Sequence, residues 1–183
     1  MVSFLNLKLS EIKKINIFLI ICLPISLLAG SLVINLKILL IIIFFLVDCK
    51  RYNNFFFLRD KNFYFLLIIY IYLIFNSIFI AQDFDSLVRS IGFIRFFLLA
   101  YAIFYYLNIE NRKYKNLVLK YWSYIFFIVT ADLIFEVFLH KNILGFSSNY
   151  PGRLAGFTGE ELKVGGYYFG FILLTLSYLL YKN

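Results

Sequence analysis

The tract from Ile15 to Val47 is apolar almost without a break. A helix needs roughly 20 apolar residues to cross the hydrocarbon core of a bilayer. The tract is therefore too long for one crossing helix and just enough for two short ones, with the turn at Leu28–Asn35. Further apolar runs follow, each set apart by a short polar cluster. Read together they predict an all-α, polytopic transmembrane helix bundle, a single transmembrane domain over residues 1–183. The spans fall at about 15–29, 33–47, 63–80, 87–107, 121–139 and 166–181, roughly six in all.

Composition supports that class. The chain is 63% hydrophobic and only 15% charged, whereas soluble domains sit near about one half and one quarter. No long polar tract, repeat or linker marks off a soluble domain. The apolar tract is also too long for the core of a signal peptide and lacks a clear small-residue cleavage site, so the N-terminus reads as retained. Phe and Tyr are abundant, but so are Ile, Asn and Lys, all encoded by AT-rich codons; codon bias is the plainer explanation than an aromatic binding platform. Cys22 and Cys49 lack metal spacing and read as two unpaired thiols. The residues offer no metal site.

The net charge of +8 would raise the question of nucleic acid in a soluble protein. Here the cations lie in clusters between apolar runs, which is the arrangement that orients a membrane protein, and no nucleic-acid partner is expected. Lys8, Lys13 and Lys14, then Lys50, Arg51, Arg59 and Lys61, then Arg112, Lys113, Lys115 and Lys120 all fall on one side of a six-span chain. The positive-inside rule puts that side, with both termini, in the cytoplasm. The loop 140–165 is then external.

Ionisable residues within spans are costly and are functional candidates by default. Arg89 and Arg95 lie on the fourth span, Asp132 and Glu136 on the fifth. Asp132, Glu136 and His140 are spaced i, i+4, i+8 and share a helical face. Depth counting at about 1.5 Å per residue pairs Arg95 with Asp132 and Arg89 with Glu136. Such pairs either tie two helices together or line an outward polar cavity. His140, the only histidine, suits a polar anchor at the interface better than a base.

The external loop is the densest polar stretch of the chain. Gly152, Gly156 and Gly159 permit positive φ and close backbone approach. Arg153 offers a planar cation suited to phosphate. Glu160 or Glu161 could take a proton from a sugar hydroxyl. An ordinary flexible loop would use the same glycines and proline.

The segments "GRLAGFTGEELKVGGYYFGF" (152–171) and "SLVRSIGFIRFFLLAYAIFYYL" (86–107) resemble the O-antigen ligase and O-antigen polymerase superfamily of bacterial inner-membrane proteins. The shared pattern is Arg-x-x-Gly-Phe/Leu-x-x-acid, closed by Gly-x-Tyr as the next helix begins. The resemblance implies inverting glycosyl transfer at the periplasmic face, from undecaprenyl diphosphate to lipid A-core or to another glycan, with no cofactor and no metal. It implies Arg153 and Glu160 as catalytic residues, and Arg153, Arg95 and Arg89 as contacts to the lipid diphosphate. Asp132, Glu136 and His140 form a supporting polar face, and Gly152, Gly156, Gly165 and Gly166 shape the loop. Members of the superfamily are longer, with further spans and a second large external loop carrying Arg and His. The present chain therefore resembles the N-terminal half of such a protein, a fragment inactive by itself. Two other readings fit the residues: a multispan transporter or flippase for a lipid-linked or anionic substrate, and a non-enzymatic membrane subunit.

Overall fold

The computed structural model describes residues 9–108, 113–145 and 154–157, together with Leu176 and Leu180. Among the described residues every regular element is helical. The α-helices are α1 (Leu9–Ile21), α2 (Leu23–Leu28), α3 (Ser31–Arg51), α4 (Lys61–Asn76), α5 (Phe84–Gly92), α6 (Ile94–Asn108) and α7 (Lys113–Leu139). A 3₁₀ turn at Phe56–Arg59 precedes α4, and a π turn at Ser77–Ala81 extends it. Among the described residues four stretches are long and apolar enough to cross a membrane: Ser31–Arg51, Lys61–Ala81, Phe84–Asn108 and Tyr114–Leu139. The sixth expected span, 166–181, lies outside the described residues apart from Leu176 and Leu180, which are helical.

The first expected span differs most. Its helix is broken between Ile21 and Leu23, and Pro24 is the reason. Proline has no N–H to donate to the carbonyl four residues back, here Ile20, and its ring crowds that carbonyl. The indole N–H of Trp122 on α7 takes the freed Ile20 oxygen instead, at 3.1 Å. The Lys37 ammonium on α3 donates to the Cys22 carbonyl at the same break, at 3.1 Å. Gly30, with φ +108°, then makes the turn into α3 in a region open to glycine.

α3 begins at Ser31 and runs on through Asp48, Cys49, Lys50 and Arg51, residues the sequence reading placed in a loop. α7 likewise starts at Lys113, inside the expected basic loop. Both extensions follow from the same cause. Lys and Arg are good helix formers, and cations near the last turn of α3 complement its dipole.

The chain divides into two compact units. The first comprises residues 1–16 and 38–107. Its core is aromatic: Phe45 and Tyr106 are fully buried, and Phe57 and Phe63 pack beside them. Phe45 meets Phe57 at 5.7 Å and Tyr105 at 5.6 Å between ring centres, and Tyr101 lies 5.7 Å from Phe63. The 3₁₀ turn therefore plugs the bundle with Phe56 and Phe57. Whatever codon bias contributes to the aromatic excess, these rings form one packed cluster.

Within this unit Asp60 caps α4, accepting from the Asn62 amide at 3.0 Å. Asp83 caps α5, accepting from the Ser86 amide and hydroxyl, both at 3.1 Å. The end of α4 is joined to α5 by Ser77, whose hydroxyl is shared with the Ser90 hydroxyl and the Leu73 and Ser86 carbonyls. α5 is a short amphipathic helix with Phe84, Val88 and Ile91 exposed along one side. It breaks from α6 at Phe93, and the Tyr70 hydroxyl donates to the Ile91 carbonyl at that break, at 3.1 Å.

The second unit comprises residues 17–37 and 108–183. Its described part is the end of α1, α2, the start of α3, α7, the polar segment beyond α7, and Leu176 and Leu180. Trp122 and Val129 are buried along α7, and Asp132 and Glu136 continue the same buried stripe.

Candidate functional site: a carboxylate clasp at the end of α7

α7 ends at Leu139, and His140 takes the left-handed conformation, φ +57°, with its amide donating to the Glu136 carbonyl at 2.8 Å. This is the usual way a helix closes, more often with glycine. The turn ends the i, i+4, i+8 face at its second member. Asp132 and Glu136 are buried, whereas His140 is exposed.

Beyond the turn the chain folds back onto α7. Glu136 receives the amides of two successive residues, Ala155 on one carboxylate oxygen and Gly156 on the other, each at 2.7 Å. Gly156 has φ +53°, a conformation that sets neighbouring amides converging on one anion, as in backbone nests. Asn142, itself buried, donates to the Gly156 carbonyl at 2.6 Å. One turn back along α7, Asp132 receives the Ile143 amide on Oδ1 at 2.9 Å. Its Oδ2 is buried and has no partner among the described residues. The two acids thus hold both strands of the returning loop, one at 143 and the other at 155–156.

The physical sense is direct. Ala155 and Glu136 are almost wholly buried, and a buried backbone amide without an acceptor costs about 1–3 kcal/mol. A carboxylate accepting two N–H groups also answers its own desolvation. Among the described residues, the Glu136 carboxylate and these amides satisfy each other.

The clasp also positions apolar groups. Leu144 follows the residue that Asp132 holds, and Phe157 follows the one that Glu136 holds. Both line a cavity of about 390 Å³ together with Ile25 and Leu28 of α2 and Ile125 and Val129 of α7. The cavity is apolar, and its walls belong to one unit.

The remaining expected residues are scattered. Arg89 is exposed on α5 and lies within electrostatic range of Asp83. Arg95 is half-buried at the start of α6, with its guanidinium 5.0 Å from the Phe96 ring centre and its Nε without a partner among the described residues. The expected Arg95–Asp132 and Arg89–Glu136 pairs would join residues of different units; within its own unit Glu136 already has a donor on each oxygen. Arg153, Glu160, Gly152, Gly165 and Gly166 lie outside the described residues. Cys22 and Cys49 are free thiols, and no group of three or more His, Cys, Asp or Glu that could hold a metal occurs among the described residues.

Sequence reasoning missed one buried polar cluster altogether. Asp48 on α3 is fully buried and accepts the Tyr106 hydroxyl of α6 on Oδ2 at 2.5 Å. Asn16 of α1 is fully buried beside the same hydroxyl. The signal was present as an Asn and an Asp at the edges of apolar runs, but Asp48 was assigned to a loop with its basic neighbours.

Compared with protein-family models, with curated proteins and with solved structures, the chain finds no match.

Proposed function

We propose that this chain is part of a bacterial inner-membrane glycan ligase or polymerase, acting on a glycan carried by undecaprenyl diphosphate at the periplasmic face. The observation that carries the reading is the clasp. Glu136 seats Ala155 and Gly156 of the Arg153–Gly156 motif against the C-terminal end of a helix long and apolar enough to cross a membrane. Arg153 is two residues from that anchor. A guanidinium in this position suits the charge that develops on a departing lipid diphosphate. The apolar cavity lined by Leu144 and Phe157 suits hydrocarbon of the same lipid. Glu160 is assigned to the acceptor hydroxyl, and both termini to the cytoplasm. In this reading Asp132 and Glu136 are positioning residues: they hold the loop that carries the catalytic side chains.

The test is to replace Arg153 in the complete protein and examine surface polysaccharide. Arg153→Ala is expected to abolish the polymer or its attachment, and normal polysaccharide would reject the assignment. Activity in Arg153→Lys would mean that charge suffices without the bidentate geometry of a guanidinium.

A further inference from the structure

The first unit contains a cavity of about 340 Å³ that the proposed reaction does not use. It lies at the start of α4 and is lined by Asp60, Asn62, Leu66, Ala100, Tyr101 and Phe104. Small-molecule sites typically span about 300–1,000 Å³, so this one suits a small group.

Its chemistry is sharply divided. Asp60 accepts the Asn62 amide on Oδ1 and the Tyr101 hydroxyl on Oδ2, the latter at 2.8 Å. Both bonds favour the ionised acid and hold Asp60 below the usual carboxylate range. A carboxylate has about four acceptor positions, so capacity remains for further donors at the cavity. Tyr101 and Phe104 add aromatic rings to the lining, a residue type whose faces attract cations. The rest of the lining is Asn62, which is polar, and the apolar Leu66 and Ala100. A hard metal ion would need a shell of six or so oxygens, more than the Asp60 carboxylate, the Asn62 amide and the Tyr101 hydroxyl supply. The site fits an organic ammonium.

The surroundings narrow the choice. Asp60 immediately precedes a helical stretch long and apolar enough to cross a membrane, which places it at headgroup level. Leu66 lies roughly 9 Å further along the helix axis, at about 1.5 Å per residue. Arg59 and Lys61 flank Asp60 in sequence and are exposed. Cations beside a carboxylate match a zwitterion whose ammonium and phosphate are two carbons apart. The geometry points to a binding site for a phosphoethanolamine lipid, with its ammonium on Asp60 and the Tyr101 and Phe104 rings, its phosphate on Arg59 and Lys61, and its chain along Leu66 and Ala100.

The experiment is lipid competition on the purified full chain. Native mass spectrometry counts the phosphatidylethanolamine and phosphatidylglycerol retained from an equimolar mixture. A charge-assisted hydrogen bond predicts retention of the amine lipid in about tenfold excess. Asp60→Asn keeps an oxygen to cap α4 and is expected to bring the ratio near unity. Arg59→Gln with Lys61→Gln is expected to lower retention of both lipids and leave the ratio unchanged. Wild-type protein that retains the two lipids equally overturns the proposal, as does an unaltered preference in folded Asp60→Asn. A control on the lipid side avoids any doubt about folding: N-acetylation of the amine removes its charge. Loss of retention on acetylation supports the ammonium contact, and undiminished retention refutes it.

Discussion

Asp48 and Glu136 are both carboxylates buried within helices of membrane-crossing length, yet they are answered in opposite ways. Asp48 receives a side-chain hydroxyl from another helix of its unit, Tyr106 of α6. Glu136 receives two backbone amides from a loop. The first arrangement joins helix to helix, so its loss should loosen the bundle. The second joins helix to loop, so its loss should release the loop while the helix persists. A buried acid in a span therefore needs no buried cation. It needs donors, and which donors it finds decides whether it acts on the scaffold or on the segment proposed to carry the chemistry.

The largest expected effect is at Glu136. Glu136→Ala removes the acceptor of the Ala155 and Gly156 amides and should destabilise the loop by ~2–6 kcal/mol, at about 1–3 kcal/mol for each. Glu136→Gln should cost less, because one oxygen still accepts, but its amide NH₂ then confronts an N–H. Hydrogen exchange should show loss of protection at Ala155 and Gly156 with α7 intact. If α7 exchanges equally, the contrast between the two acids fails.

Tyr106→Phe is next. It removes the donor on Asp48 Oδ2 and should lower the stability of the first unit by ~1–3 kcal/mol. Denaturant titration in mixed micelles measures the change. Combining it with Asp48→Asn should cost less than the sum of the two single changes, since both act on one bond. Additive losses would show that the pair does not act as one.

Asp132→Asn should be nearly silent, within about 1 kcal/mol, despite a burial as deep as that of Asp48. Its Oδ1 can still accept the Ile143 amide, and Oδ2 has no described partner to lose. A loss as large as that of Glu136→Ala in the same denaturant titration would place a further donor on Asp132.

The smallest effect is at Asp83, where the donors resemble those of Glu136 but the acid is exposed. The Ser86 amide and hydroxyl hold its carboxyl below the ordinary range. A depressed folded pKa gives stability above the unfolded value, about 3.9, that is lost as pH falls through the folded one. Exchange at the Ser86 amide should therefore be protected near neutrality and lose protection in acid below that value. Asp83→Asn should remove the pH dependence and keep the cap. Persistence of the acid transition in Asp83→Asn would assign it to another group.

Much of the fold was legible in the chain. Long apolar runs located the four membrane-length stretches, and Leu28–Asn35 contained the turn that the structure makes at Ala29–Gly30. Pro24 was visible too, but its consequence was not. The break leaves the Ile20 carbonyl without its helical donor, and the group that answers it, Trp122, is about a hundred positions away. Asp48 was missed because local composition drew Lys50 and Arg51 into a loop, while packing against Tyr106 kept all three in α3. At the candidate site the i, i+4 spacing identified Asp132 and Glu136 as one face. It supplied arginines as their partners because charges are what a sequence displays, whereas backbone amides are the same at every position and leave no mark in it.

Hydropathy is a sum over neighbouring residues, and the cost of an unsatisfied backbone in lipid leaves the helix as the local solution for such runs. Helical class, the approximate crossing segments and the unusual character of the loop therefore follow from the order of amino acids alone. Which oxygen meets which hydrogen does not. The Glu136 clasp, the Asp48–Tyr106 bond and the cavity at Asp60 each join residues from about twenty to sixty positions apart. A buried donor donates to whichever acceptor packing brings within about 3 Å, and only the tertiary structure makes that choice.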